Sequence, residues 1–117
     1  MRRYKTAKQL KPKQQFIQYT SNSERLFLDI MEAVYNIKIE RQFSLNGKYY
    51  DGKLNNILIE IDGAKWHRSK KQKENDLLKE EIAKQNNYEI YRIKLNSIQE
   101  IPEAIHKNKE LLNKIFK

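Results

Sequence analysis

A mixed α/β domain is predicted, in the order helix, three-stranded antiparallel meander, helix, parallel strand, helix, and three features of the 117-residue chain predict it. A stretch with helical apolar periodicity precedes a run of short strand-like segments. Two asparagine-bearing dipeptides, Asn46-Gly47 and Asn55-Asn56, separate those segments at hairpin spacing. A second helical stretch then divides the third strand from the fourth, and a strand reached by a crossover helix lies parallel to the one before it, with a right-handed connection.

The elements follow in order. Residues 1–20 form a basic arm carrying Arg2, Arg3, Lys5, Lys8, Lys11 and Lys13 without one acidic residue, set apart from a single folded domain over 21–117. The string "SNSERLFLDIMEAVYNI" opens with Ser21 and Glu24 in capping-box spacing and repeats apolar residues at Phe27, Ile30, Met31 and Val34, which predicts a helix over about 22–36. The segments "IKIERQFSL", "KYYDGKL" and "ILIEID" read as three antiparallel strands. Ser69 and Gln72 repeat the capping-box spacing, opening a helix with Leu78 and Ile82 on its inner face and a stop at Asn86-Asn87. "YEIYRIKL" is the parallel strand. A last helix from about Ile98 to Phe116, with Pro102 near its start, packs Ile101, Ile105, Leu112 and Ile115.

Composition narrows the function classes. Hydrophobic residues make 38% and charged residues 33% of a chain with one tryptophan, seven tyrosines and four phenylalanines, so a packed core is within reach. Neither an apolar run long enough to span a membrane nor a secretory leader is visible, so no membrane partner is expected and the expected compartment is the cytoplasm of a bacterial or phage-infected cell. The absence of cysteine removes disulfides, thiolate nucleophiles and zinc-thiolate sites, so any metal is held by carboxylate or imidazole and is a hard cation. With 24 Lys plus Arg against 15 Asp plus Glu the net charge is +9, and a second basic run, Lys65, Arg68, Lys70, Lys71 and Lys73, follows the third strand. Such a distribution suits nucleic acid, although a lysine-rich soluble surface also accounts for it.

The stretch "ILIEIDGAKWH", from Ile57 to His67, carries the chemistry. Its isoleucines alternate as on a core-facing strand, while Leu58, Glu60 and Asp62 share the other face. If Asn55-Asn56 is a two-residue turn, opposed residue numbers sum to 111, which sets Asp51 opposite Glu60 and Tyr49 opposite Asp62. Three carboxylates then share one patch. Like charges about 5 Å apart repel by roughly 3 kcal/mol at an effective dielectric near 20, a strain relieved by a divalent cation or by protonation. Oxygen donors converging from neighbouring strands are what Mg²⁺ requires, with Mn²⁺ as a substitute. Simpler accounts stand beside this one. Asp51-Gly52 and Asp62-Gly63 also suit ordinary turns, Glu24 suits a helix cap, and Asp76 suits pairing with Lys79 or Lys73. His67 suits an exposed loop, and Trp66 suits a core or lid anchor as well as a DNA contact.

Taken together, Glu24, Asp51, "IEIDG", "WH" and Asp76 in this order of elements resemble the PD-(D/E)XK restriction-endonuclease-like superfamily. The resemblance is to the branch of very-short-patch repair mismatch endonucleases and EDxHD phage-intron homing endonucleases. It spans about residues 21–95, with "YYDGKLNNILIEIDGAKWH" its most specific part. It implies a restriction-endonuclease-like core and a metal-dependent DNA endonuclease that leaves 5′-phosphate ends, with a homing, mismatch or junction-specific role left open. It further implies metal ligation by Asp51, Glu60 and Asp62 with help from the Ile61 carbonyl, and a catalytic set of Glu24, Asp51, Asp62, His67 and Asp76. Asp62 stands where the superfamily has lysine, which leaves His67, oriented by Asp76, to accept the proton of the attacking water. Arg2, Arg3, Lys5, Lys65, Trp66, Arg68, Lys70 and Lys71 are the implied contacts to double-stranded DNA. Double-strand cleavage requires a homodimer or sequential nicking, and sequence reading requires a further DNA-recognition domain. A non-catalytic nucleic-acid-binding module and a small interaction domain are the readings from other classes.

Overall fold

The computed structural model describes residues 22–63 and 69–117. Ser21, the arm residues Arg2, Arg3 and Lys5, and Lys65, Trp66, His67 and Arg68 therefore lie outside the described residues.

Helix α1 covers Asn22–Tyr35 and buries Glu24, Phe27, Leu28 and Met31. Its inner stripe is centred on Glu24, Leu28 and Met31, so Val34, expected inside, sits at the stripe's edge and is 64% exposed. Asn36 takes a left-handed φ of 54° and the Ile37 N–H donates to the Glu32 carbonyl at 3.1 Å, which closes the helix.

Strand β1 (Glu40–Leu45) turns through Asn46 and Gly47, at φ 48° and 81°, into β2 (Lys48–Leu54). Left-handed values at both turn positions match the right-handed twist of a hairpin. A second tight turn, with Asn55 at φ 55°, leads into β3 (Ile57–Asp62). Helix α2 (Lys70–Gln85) opens with the expected capping box, in which the Gln72 N–H donates to Ser69 Oγ and the Ser69 N–H donates to Gln72 Oε1, both at 3.0 Å. It leads to β4 (Glu89–Lys94), parallel to β3 with Glu60 opposite Arg92, and the sheet order is β1-β2-β3-β4.

The expected single terminal helix is instead a 3₁₀ turn at Ile98–Glu100 followed by α3 (Ile101–Lys107) and α4 (Lys109–Phe116). The break falls at Asn108, whose side-chain amide and backbone N–H both donate to the Ala104 carbonyl, at 2.8 and 3.0 Å. An asparagine that competes for helix carbonyls in this way interrupts the ladder. Among the described residues, no helix is long and apolar enough to cross a membrane.

The main core joins α1, α3 and α4 to one sheet face through Phe27, Leu28, Met31, Ile39, Ile59, Ile93, Leu112 and Phe116. A smaller cluster of Tyr50, Leu58 and Ala83 holds α2 against the other. Leu78, expected on the inner face of α2, is 47% exposed. The helix docks instead through Ile82 and Ala83 and through polar residues with partners on the sheet: Asn75 with Lys48, Asp76 with Arg92, and Lys79 with Glu60.

Residues two apart on a strand normally share a face. Yet Arg41 reaches Asp29 and Glu32 of α1, at 2.9 and 3.0 Å, while Phe43 lies against Tyr88 in the α2-side cluster. Gly52 likewise faces Ile39, whereas Tyr50 packs with Leu58 and Ala83. The hairpin therefore turns over between these pairs, and Gln42 takes a φ of 49° there. Non-glycine residues in that region carry about 1–3 kcal/mol of strain and cluster at functional sites. The turnover also fixes Gly52, since a Cβ there would stand 2.8 Å from Ile39 Cγ2. Gly52→Ala is expected to lower stability by about 1–3 kcal/mol in urea unfolding, because a buried β-branched side chain has little room to retreat.

Candidate active site

The turnover shapes the site. The β2–β3 ladder runs from Leu54 opposite Ile57 to Gly52 opposite Ile59, the register expected for a two-residue turn. Beyond Gly52 the strands part, so the expected Asp51–Glu60 and Tyr49–Asp62 pairings are not part of the ladder. Asp51 enters the gap by its side chain, and its Oδ2 accepts the Ile61 N–H at 2.6 Å. A carboxylate thus replaces a strand carbonyl at the point where the sheet opens.

Two further acids meet it. Glu24, buried at 7% exposure on α1, and Glu60, buried at 5% on β3, both hydrogen-bond with the Asp51 carboxyl. Gln42 joins the group, its Nε2 donating to Glu24 Oε2 at 3.2 Å. Burial pushes the Glu60 carboxyl up to about 7, with the Asp51 charge adding to the rise and Lys79 opposing it. Burial likewise pushes Asp51 up to about 6, opposed by the Ile61 N–H and reinforced by Glu24. Glu24 is raised by its own burial and by Glu60, against the hydrogen bond with Asp51 and the charge of Arg41. Three acids whose protonated forms are favoured in this way make a pocket short of positive charge.

The cations nearby are fixed by geometry. Lys79 of α2 pairs with Glu60, its ammonium lies 5.1 Å from the Tyr50 ring centre, and the Tyr50 hydroxyl donates to the Lys79 carbonyl at 2.9 Å. Arg92 of β4 reaches Asp62 at 3.8 Å, Asp76 at 3.5 Å and Glu80 at 3.4 Å, and donates to the Asp76 carbonyl at 3.2 Å. Past Arg92 a groove of about 470 Å³ is lined by Lys94, Asn96, Lys107 and Asn108 together with Glu100 and Glu103.

The acids marked in the sequence therefore divide into two groups. Glu24, Asp51 and Glu60 converge, while Asp62 and Asp76 are joined through Arg92. Lys70 and Lys71 are exposed at the start of α2. Among the described residues, no three acidic or imidazole side chains already stand as a metal-holding set; one oxygen of Asp51 accepts the Ile61 N–H and one of Glu60 pairs with Lys79. Sequence reasoning missed Arg92 and the direction of Lys79. A signal existed for Arg92, a charged residue between Tyr91 and Ile93 in the middle of the parallel strand. The pairing of Lys79 across to β3, rather than along its own helix to Asp76, shows only in three dimensions.

A helix, a three-stranded antiparallel meander, a second helix and a parallel fourth strand, closed by helices, form a restriction-endonuclease-like fold. Among solved structures, this fold is similar to that of the homing endonuclease I-Bth0305I catalytic domain, with a TM-score of 0.62 and 19% identity, covering 80% of this chain and 93% of that one. No protein-family profile and no curated protein matches the chain.

Proposed function

We propose that this chain is a metal-dependent DNA endonuclease domain of the homing-endonuclease kind, related to the very-short-patch repair nucleases. The convergence of Glu24, Asp51 and Glu60 where the sheet opens carries the reading, because a fold held by its apolar core gains no stability from two buried acids and a third half-buried against them. Similarity to a homing endonuclease catalytic domain supports it.

The donor set fits a hard divalent cation. Carboxylate oxygens such as those of Asp51, Glu60 and Glu24 are the ligands Mg²⁺ or Mn²⁺ takes, and the raised proton affinities of Asp51 and Glu60 mark a demand for positive charge. When bound, such an ion supplies charge stabilisation to a phosphodiester under attack. The chain's own residues do the rest in this proposal. His67 accepts the proton of the attacking water, with Asp76 orienting the imidazole. Asp62 acts with Asp76 rather than with Asp51, as the shared bond to Arg92 suggests. The basic segments 1–20 and 65–73, with Lys94 and Lys107 in the groove beyond Arg92, hold phosphates of double-stranded DNA. A second copy or a separate recognition domain supplies double-strand cutting and sequence choice.

Supercoiled plasmid tests this. With Mg²⁺ or Mn²⁺ the protein is expected to convert it to nicked circles, and Asp51→Ala or EDTA to stop the conversion. Cleavage that persists in Asp51→Ala would remove this site from consideration. DNA binding that survives EDTA without any cleavage would make the chain a binding module instead.

A further inference from the structure

We propose that Lys79 is the resident counter-cation of the carboxylate pocket, standing against Glu60 where a divalent ion has to sit, so that ion and substrate phosphate bind cooperatively. The inference rests on the nuclease reading above and adds a residue and a coupling to it.

The observation is the way Lys79 is held. Its side chain is 15% exposed and that of Glu60 only 6%, so the pair is largely withdrawn from water. Both ends of the residue are tied to Tyr50, the ammonium by the ring face and the carbonyl by the hydroxyl. Among the described residues, Glu60 is the one acid within ion-pair distance of Lys79.

A consequence follows from charge alone. An ion that takes the oxygens of Glu60 removes the partner of a largely desolvated ammonium and adds a like charge beside it, both unfavourable. Neither Tyr50 nor a neighbouring carbonyl replaces the lost negative charge. A DNA phosphate does, since its oxygens are anionic and accept from an ammonium. Ion binding is then weak without DNA and tighter with it, and by linkage DNA binds more tightly once the ion is present. A strut that merely docks α2 on the sheet predicts none of this.

The test measures Mn²⁺ affinity by isothermal titration calorimetry and by the electron paramagnetic resonance signal of free Mn²⁺. It uses wild type, Lys79→Gln and Lys79→Met, each with and without a short duplex carrying non-cleavable linkages. Without DNA, both variants are expected to bind Mn²⁺ at least about tenfold more tightly than wild type, and the duplex to tighten Mn²⁺ about tenfold on wild type but less than about threefold on the variants. Methionine keeps the aliphatic packing against Tyr50 and glutamine keeps a polar tip, so thermal unfolding identifies a variant that folds. Wild type alone also decides, because Mn²⁺ affinity indifferent to the duplex overturns the proposal. Mn²⁺ binding that is lost in Asp51→Asn but unchanged in both Lys79 variants overturns it too, and leaves the nuclease reading standing. No Mn²⁺ binding by any of these proteins, with or without duplex, overturns both.

Discussion

Asp51→Asn is expected to lose DNA nicking by at least about a thousandfold while making the protein harder to unfold at pH 8. Asparagine keeps an oxygen that accepts the Ile61 N–H, so the local backbone bond survives, whereas alanine would leave that amide without its acceptor. What disappears is one negative charge among Glu24, Asp51 and Glu60. In the folded protein Asp51 holds its proton up to about pH 6, against an ordinary 3.8. Between those values the folded state binds more protons than the unfolded one, so stability falls as pH rises through that window. Glu60 extends the fall to about pH 7 from an ordinary 4.5. At pH 8 the Asp51 charge therefore destabilises the fold by about 3 kcal/mol, on the order of 10 °C for a domain of this size. Below about pH 3 the variant and wild type should melt together, since Asp51 is then largely protonated in both states. Melting curves at pH 3 and pH 8, with a plasmid assay at pH 8, check both halves. Equal melting at pH 8 would show that the acids are not strained, and undiminished nicking would show that they are not used.

The same residue shows where the sequence is legible and where it is not. Helix α1, the two turns and the capping box of α2 rest on local chemistry: side-chain oxygens that cap amides, and asparagine or glycine that tolerate a left-handed φ. The parallel placement of β4 followed from its crossover helix. The first three pairs of the β2–β3 ladder followed from the turn length, but the register failed at Asp51. It failed because the hairpin turns over at Gln42, and nothing in a glutamine between an arginine and a phenylalanine announces a φ of 49°. Glu24 had an adequate local explanation as a cap, so only the packing of α1 against the sheet reveals its buried carboxylate. Helix α2 misled for the opposite reason. Its apolar residues suggested an inner face, but its polar ones had the stronger claim because charged partners waited on β3 and β4.

Arg92 is the residue on which that polar docking depends most, and Arg92→Met is expected to lower stability by about 2–3 kcal/mol, between the values for exposed and fully buried ion pairs. The guanidinium is 22% exposed and joins Asp62 of β3 to Asp76 and Glu80 of α2, with a further bond to the Asp76 carbonyl. Methionine matches much of its aliphatic length but removes the cation that Asp62, Asp76 and Glu80 share. Their repulsion pushes α2 away from the sheet and, with it, Lys79 away from Glu60. Nicking should therefore fall together with stability, in contrast to Asp51→Asn, where the two move apart. Arg92→Lys separates charge from geometry. A single ammonium restores the positive charge but does not span three carboxylates and a carbonyl as the forked guanidinium does, so it should recover about half of the lost stability. Urea unfolding of the three proteins, beside their nicking rates, provides the measurement. Full recovery by lysine would make Arg92 a simple neutralising charge, and no loss in methionine would mean that α2 is held by Ile82, Ala83 and its other partners on the sheet without Arg92.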